Sequence, residues 1–212
     1  MLKKLTGKAL IHTILIITSL LSIFPFIWLT STSLKGLGKD IFAYPPHLIP
    51  SDFTWANYVD VWHRVNFMGY FWNSVIVAAL TVILNLVLSS LAAYPLARMS
   101  FKGKKFFFFA ILATIMIPFQ AIMLPVYIIT LKLHLIDSVN NVMGYIGLVM
   151  PFAVSAFGIF LMRQAFIKVP KEVEEAAIVD GCNVFQMFTK VVIPMVKPTL
   201  AVLAVFTFIG SW

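Results

Sequence analysis

Side chains able to do chemistry are concentrated in one stretch. KEVEEAAIVDGCNVFQMFTKVVIPMVKP, from Lys171 to Pro198, holds Glu172, Glu174, Glu175 and Asp180, four of the chain's eight carboxylates. No GxxxxGKS or GxxxxGKT phosphate loop, no HExxH and no CxxC pair occurs, and the four histidines are scattered at positions 12, 47, 63 and 134. Neither a catalytic constellation nor a metal site is expected, so the chain does not read as an enzyme. Cys182 is the single cysteine, which excludes an intrachain disulfide; it reads as a small incidental side chain.

The acidic stretch reads as a helix start. Pro170 suits a first helical turn, and Glu172, Glu174 and Glu175 then complement the macrodipole by roughly 0.3 to 1 kcal/mol each. Val173, Ala176 and Ala177 recur at helical spacing, giving a narrow stripe of small side chains that lets a partner approach closely. Asp180 and Gly181 end the helix, glycine being the natural residue at a left-handed C′ position. Asn183 caps a second short helix carrying Phe185 and Phe188, and Pro194 and Pro198 mark its end. The expected object is an elbow: helix, glycine turn, helix. As an amphipathic linker on lipid it would be repelled by anionic headgroups, and interfacial helices are usually rich in Lys and Arg, so a protein partner fits better.

The elbow must be positioned by its flanks, and these are greasy. At 61% hydrophobic and 11% charged residues, with mean hydropathy +0.97, the chain lies far from soluble domains, where roughly 25% charged is usual. Apolar stretches at 9–29, 74–97, 106–131, 142–162 and 191–212 predict an all-α, polytopic membrane protein. A span needs about 20 apolar residues for about 30 Å of hydrocarbon, and long runs without alternation satisfy their backbone as helices. The first run follows Lys3, Lys4 and Lys8, is too long for a signal peptide, lacks a small-residue cleavage site and reads as a retained anchor.

Net charge +8 does not point to nucleic acid, because the basic residues cluster beside apolar runs. With a cytoplasmic N-terminus, Lys3, Lys4, Lys8, Arg98, Lys102, Lys104, Lys105, Arg163, Lys168, Lys171, Lys190 and Lys197 lie inside, and only Lys35, Lys39, Arg64 and Lys132 outside. That bias places the elbow, residues 166–198, in the cytoplasm. The outer loop, 31–69, is rich in Pro and aromatics and reads as irregular and partly extended, either a tether or a docking surface.

Inside the spans, Asn85 needs another helix or a wet cavity, since an unpartnered buried amide costs a few kcal/mol. Gln120 lies between Pro118 and Pro125, which should kink or unwind their helix. Both amides are candidates for lining a solute pathway, although ordinary interhelical hydrogen bonding is the commoner role for either residue taken alone. No ionisable side chain lies deep in the first four spans, which argues against ion coupling through this chain.

EEAAIVDGCNVFQMFTKVVIPMVKP resembles the EAA loop of ABC importer permeases. Glu175, Ala176 and Ala177 are followed at the family's spacing by Gly181, with Asp180 before it, and then by Val191, Ile193 and Pro194. IFAYPPHLIPSDFTWANY, YFWNSVIVAA, AAYPLARMSFKGKKFFF and MIPFQAIMLPVYIITLKLHLIDS resemble the maltose-type carbohydrate branch.

The resemblance implies a multi-pass subunit of the bacterial inner membrane. It also implies a dimer of cytoplasmic ATP-binding subunits, a second homologous permease and an extracytoplasmic sugar-binding protein as partners, with uptake of a sugar or related polyol. Glu174, Glu175, Ala176, Ala177, Asp180, Gly181, Ile193 and Pro194 would form the coupling loop; ATP would be bound by the partner subunits, and no cofactor by this chain. The family has six spans. Here the fifth reads as unfinished and the sixth as missing, because the residues from Pro198 onward reach only about 22 Å as a helix. A secondary transporter would share the apolar chain but has no reason for the EAA, Gly and Pro spacing; a purely structural subunit is the other rival.

Overall fold

The computed structural model describes residues 2–36, 40–136 and 142–212. Lys39, assigned above to the outer side, and the Asp137-Ser138 end of the LHLIDS stretch lie outside them. Among the described residues there are helices and one isolated antiparallel bridge, Lys35 to Phe53, with no strand. The chain divides into two compact units, residues 1–70 and 71–212.

The first unit opens with α1, Leu2–Ser33, whose apolar side chains, Leu10, Ile14 and Leu21 among them, are exposed along its length. A helix apolar all round is at home in lipid or against other helices. The segment after it is more ordered than its composition predicts. It carries α2, Ala56–Arg64, and is tied by two buried charges. Lys35 donates to the His47 carbonyl and its ammonium sits 5.0 Å from the centre of the Trp28 ring. The Asn57 amide donates to the carbonyls of Ser33 and Lys35 at 2.9 and 2.7 Å. Composition says nothing about such long-range ties, which explains why the loop looked irregular in sequence.

Asp40 accepts from the Ser51 hydroxyl, from the Ser51 amide at 2.7 Å and from the Asp52 amide at 3.3 Å. The Ser51 hydroxyl holds its carboxyl below the usual carboxylate range; burial opposes this, and the two amides and Lys35 reinforce it. A depressed carboxyl contributes stability that is fully present above its unfolded pKa, about 3.9, and is lost as pH falls through the folded value. Amide exchange at Ser51 and Asp52 is therefore expected to be slow at neutral pH and to lose protection below about pH 4. Asp40→Asn should lose part of that protection at pH 7 and abolish the acid dependence. Unchanged protection in the variant would refute the arrangement.

The second unit is built on α3, Phe67–Arg98, the longest helix in it. Then follow α4 (Lys104–Thr114), α5 (Phe119–Lys132), α6 (Val142–Val149, continued by a 3-10 turn over Met150–Phe152), α7 (Ala156–Lys168), α8 (Lys171–Val179) and α9 (Val184–Gln186). A π turn over Met187–Val192, α10 (Ile193–Met195) and α11 (Lys197–Ser211) complete it. Among the described residues two helices, α1 from Leu10 and α3, are long and apolar enough to cross a bilayer, and the number rises to five if each of three bent pairs is one span. The stretch predicted as one helix over 106–131 is two, α4 and α5, bent by 95°, and the break falls before Pro118. Pro125 sits inside α5 and does not end it. The stretches 142–162 and 191–212 are likewise broken, by 59° between the α6 turn and α7 and by 78° before α11.

The core lies where α3, α7 and the elbow meet. Tyr94, Met162, Phe166, Ala177, Met187, Phe188, Val192 and Leu203 are buried together. Tyr94 packs edge-to-face on Phe166 and Phe188, with ring centroids 5.8 and 5.1 Å away. Such pairs add about 0.5 to 1.5 kcal/mol beyond area burial.

Candidate functional site

The elbow forms by local rules. Pro170 stands at the N-cap of α8, and Glu172 and Glu174 fall in its first turn. At the other end the Gly181 amide donates to Ile178 O at 3.0 Å and the Cys182 amide to Ala177 O at 2.9 Å. These two bonds make a Schellman cap, which requires a left-handed residue between them. Gly181 supplies it at φ 82°, and open space surrounds the position where a Cβ would stand. Asn183 then closes a capping box with Gln186, its side chain accepting from the Gln186 amide at 2.9 Å and its own amide donating to Gln186 Oε1 at 3.0 Å.

Tertiary contacts divide the elbow into two faces. Ala177, Met187, Phe188 and Val192 turn into the core, with Cys182 and Ile193 half-buried beside them. Glu175, Ala176, Ile178, Val179, Asp180, Gly181, Val184, Phe185 and Pro194 are exposed. The small-residue stripe is therefore split: Ala177 packs within the chain and Ala176 faces outward. Val179 and Phe185 are 87% and 71% exposed, a large cost for apolar side chains unless something covers them. The sequence reading did not assign Ile178, Val179 and Val184 to this face; their position directly beside Asp180-Gly181 and Asn183 is the signal that could have found them.

Glu174 is turned inward. Its Oε1 lies 2.9 Å from Nε of Arg98, the last residue of α3, and the two side chains are only 18% and 9% exposed. The pair is held by charge, because neither atom has an aligned hydrogen bond. Arg98 also donates from Nη2 to Val169 O. The carbonyls that end α3 are capped by cations: Leu96 O accepts from Arg163 Nε at 3.0 Å, and Ala97 O and Met99 O from Lys104 Nζ at 3.1 and 2.9 Å. Cations at a helix C-terminus satisfy orphan carbonyls and complement the dipole. The basic segment 98–105 and α8 thus border one open cleft of about 770 Å³, at the same end of the unit.

A second polar site lies among the helices. Asn85, 2% exposed, donates to Phe152 O at 3.1 Å and accepts from Ser89 Oγ at 3.2 Å and Ser155 Oγ at 3.4 Å. Ser155 caps α7, accepting from the Gly158 amide at 3.0 Å. Asn85 therefore makes the interhelical bonds of the plainer reading, and it also borders a cavity of about 410 Å³ shared with Thr81, Thr207 and Ser211. Thr81 Oγ1 is buried with no hydrogen-bond partner among the described residues. Among the described residues no ionisable side chain lines this cavity. Gln120 is exposed in the first turn of α5 and is not among the residues lining the Asn85 cavity, although its neighbour Phe119 is.

The helical membrane architecture has known relatives among transport components. Residues 85–212 match the family described as "Binding-protein-dependent transport system inner membrane component". The chain belongs to this family, whose members are permeases of the inner membrane and not enzymes. It is 30% identical over 205 residues to the diacetylchitobiose uptake system permease protein NgcG of Streptomyces coelicolor, covering 96% of this chain and 66% of the relative. It is 34% identical over 164 residues to the arabinooligosaccharides transport system permease protein AraQ of Halalkalibacterium halodurans, covering 77% and 57%. The sn-glycerol-3-phosphate transport system permease protein UgpE of Yersinia enterocolitica is 33% identical over 208 residues, covering 95% and 71%. The chain thus spans 57% to 66% of the length of the first two relatives. Among solved structures, a bacterial ABC transporter involved in the import of the acidic polysaccharide alginate superimposes with TM-score 0.84 at 29% identity, over 98% of this chain and 71% of that one.

Proposed function

We propose that the chain is a membrane-spanning subunit of an ATP-driven, binding-protein-dependent importer, and that residues 166–198 couple it to a cytoplasmic ATPase. The carrying observation is the capped elbow presenting Glu175, Val179, Asp180 and Phe185 outward while Ala177 and Phe188 anchor it to the spans. An apolar ridge flanked by two carboxylates suits a groove of a protein partner better than a lipid surface. ATP is bound and hydrolysed by a pair of partner subunits, and this chain needs no cofactor of its own. Closure of that pair moves the elbow, and with it the helices around a cavity formed jointly with a second, homologous permease. An extracytoplasmic sugar-binding protein delivers the substrate, with the segment 31–69 on its side of the membrane; the charge bias that places the N-terminus in the cytoplasm supports this orientation.

The substrate class is a saccharide or related polyol. Two of the relatives above are permeases for diacetylchitobiose and for arabinooligosaccharides. The cavity beside Asn85 is lined mostly by apolar and aromatic side chains, with the hydroxyl residues Thr81, Thr207 and Ser211 among them, a mixture that suits the apolar faces and hydroxyl edges of a sugar ring. The test is uptake of labelled diacetylchitobiose and arabinotriose by vesicles holding the full permease pair, ATPase and binding protein. Uptake is expected to require ATP and to stop with a hydrolysis-deficient ATPase. Uptake driven by an ion gradient with the ATPase omitted would overturn the reading in favour of a secondary transporter.

A further inference from the structure

Given that coupling reading, the geometry points to the last turn of α3 as the clamp through which elbow movement enters the membrane helices, with Arg98 and Tyr94 as positioning residues. Arg98 grips the chain on both sides of Pro170, at Val169 O and at Glu174, so α8 cannot swing about Pro170 without breaking one of the two contacts. Tyr94, one helical turn earlier, packs on Phe188 in the elbow's second half and on Phe166 of α7. Phe166 and Phe188 in turn lie 6.2 Å apart, which closes the aromatic triangle. One turn of one helix therefore holds both arms of the elbow. A joint fixed at two separated points transmits rotation as well as translation, whereas one fixed at a single point pivots. The two side chains are largely buried at the wall of the open cleft, so each charge is compensated chiefly by the other.

The experiment uses the full-length permease in its assembled complex, with Cys182 replaced by serine and Thr207→Cys introduced as a reporter on the Asn85 cavity. The rate of N-ethylmaleimide labelling is measured with and without ATP, beside the rate of ATP hydrolysis. The parent complex should change its labelling rate on adding ATP. Glu174→Gln keeps the side-chain volume and removes the charge; it should hydrolyse ATP and assemble normally, yet lose most of the labelling response. A response about tenfold smaller is expected when an uncompensated buried charge depopulates the held orientation. The paired exchange Arg98→Glu with Glu174→Arg should restore it in part. Tyr94→Phe should respond like the parent and Tyr94→Ala should not.

A full response in Glu174→Gln would overturn the clamp, as would a Glu174→Gln complex that fails to assemble, since the pair would then be a folding element. A parent complex that hydrolyses ATP with no labelling response would overturn the coupling function itself, so the two failures are distinct.

Discussion

Gly181→Pro is expected to abolish ATP-dependent uptake while leaving the membrane helices inserted. Proline fixes φ near −65°, whereas Gly181 sits at 82°, and its missing N–H deletes the bond to Ile178 O. Mismatched φ and a lost bond together cost about 3 kcal/mol, which lowers the fraction of elbows shaped for docking roughly a hundredfold. Gly181→Ala isolates the backbone term, since open space surrounds the missing Cβ; a left-handed alanine costs about 1 to 2 kcal/mol, so partial uptake should remain. Asparagine tolerates the left-handed region best and should come closest to the parent. Glu175→Lys tests the outward face instead, because its side chain is exposed and its reversal leaves the cap intact. It should weaken co-purification of the ATPase with the permease. Uptake assays in vesicles, with co-purification as the control for docking, decide the matter: the order Asn, Ala, Pro supports the turn, and equal uptake by all three would refute it.

Gly158 carries the second large effect. A Cβ there would stand 2.6 Å from Ser89 Oγ, 2.8 Å from Ser155 Oγ and 2.9 Å from Asn85 Oδ1, inside contact distance of three hydrogen-bonded atoms. Gly158→Ala must push them apart, which costs the Ser155 cap of α7, about 1 kcal/mol, and leaves a buried amide acceptor short of partners, about 1 to 3 kcal/mol. The sum is a marked loss for a folded chain of marginal stability. Thermal denaturation of the detergent-solubilised complex, followed by size-exclusion chromatography, should show a lower midpoint for the variant. Adding Ser89→Ala removes the nearest clash and should recover part of the loss. A midpoint equal to the parent's in Gly158→Ala alone would show that the helices are looser here than the distances state.

Local chemistry made the elbow legible in sequence, because each part of it is satisfied within a few residues. Pro170, the acids of the first turn, Gly181 at C′ and the Asn183 to Gln186 box are all short-range, and α8 and its turn form as those residues predict. The spans were legible for a different reason: lipid demands long apolar runs, which composition alone displays. Where the helices break was legible only in part: a kink was expected at Pro118 and Pro125, and one of the two carries it. Pro118 and Pro125 carry the same missing donor, yet only Pro118 stands at a break, and the 95° bend depends on what surrounds each. Asn85 was recognised as needing partners, but Phe152 O and Ser155 are distant in sequence and are brought to it only by folding.

The same division runs through the acidic stretch itself. The sequence by itself determined that a charged, glycine-hinged helix pair interrupts a membrane chain. It could not say which carboxylates look outward, because neighbouring helical residues point about 100° apart and periodicity fixes only their relative angle. Arg98, from the end of a helix dozens of residues earlier, draws Glu174 inward and so turns Glu175 to the surface. Only tertiary structure sets that rotation, since it depends on pairing two charges that water would otherwise keep apart.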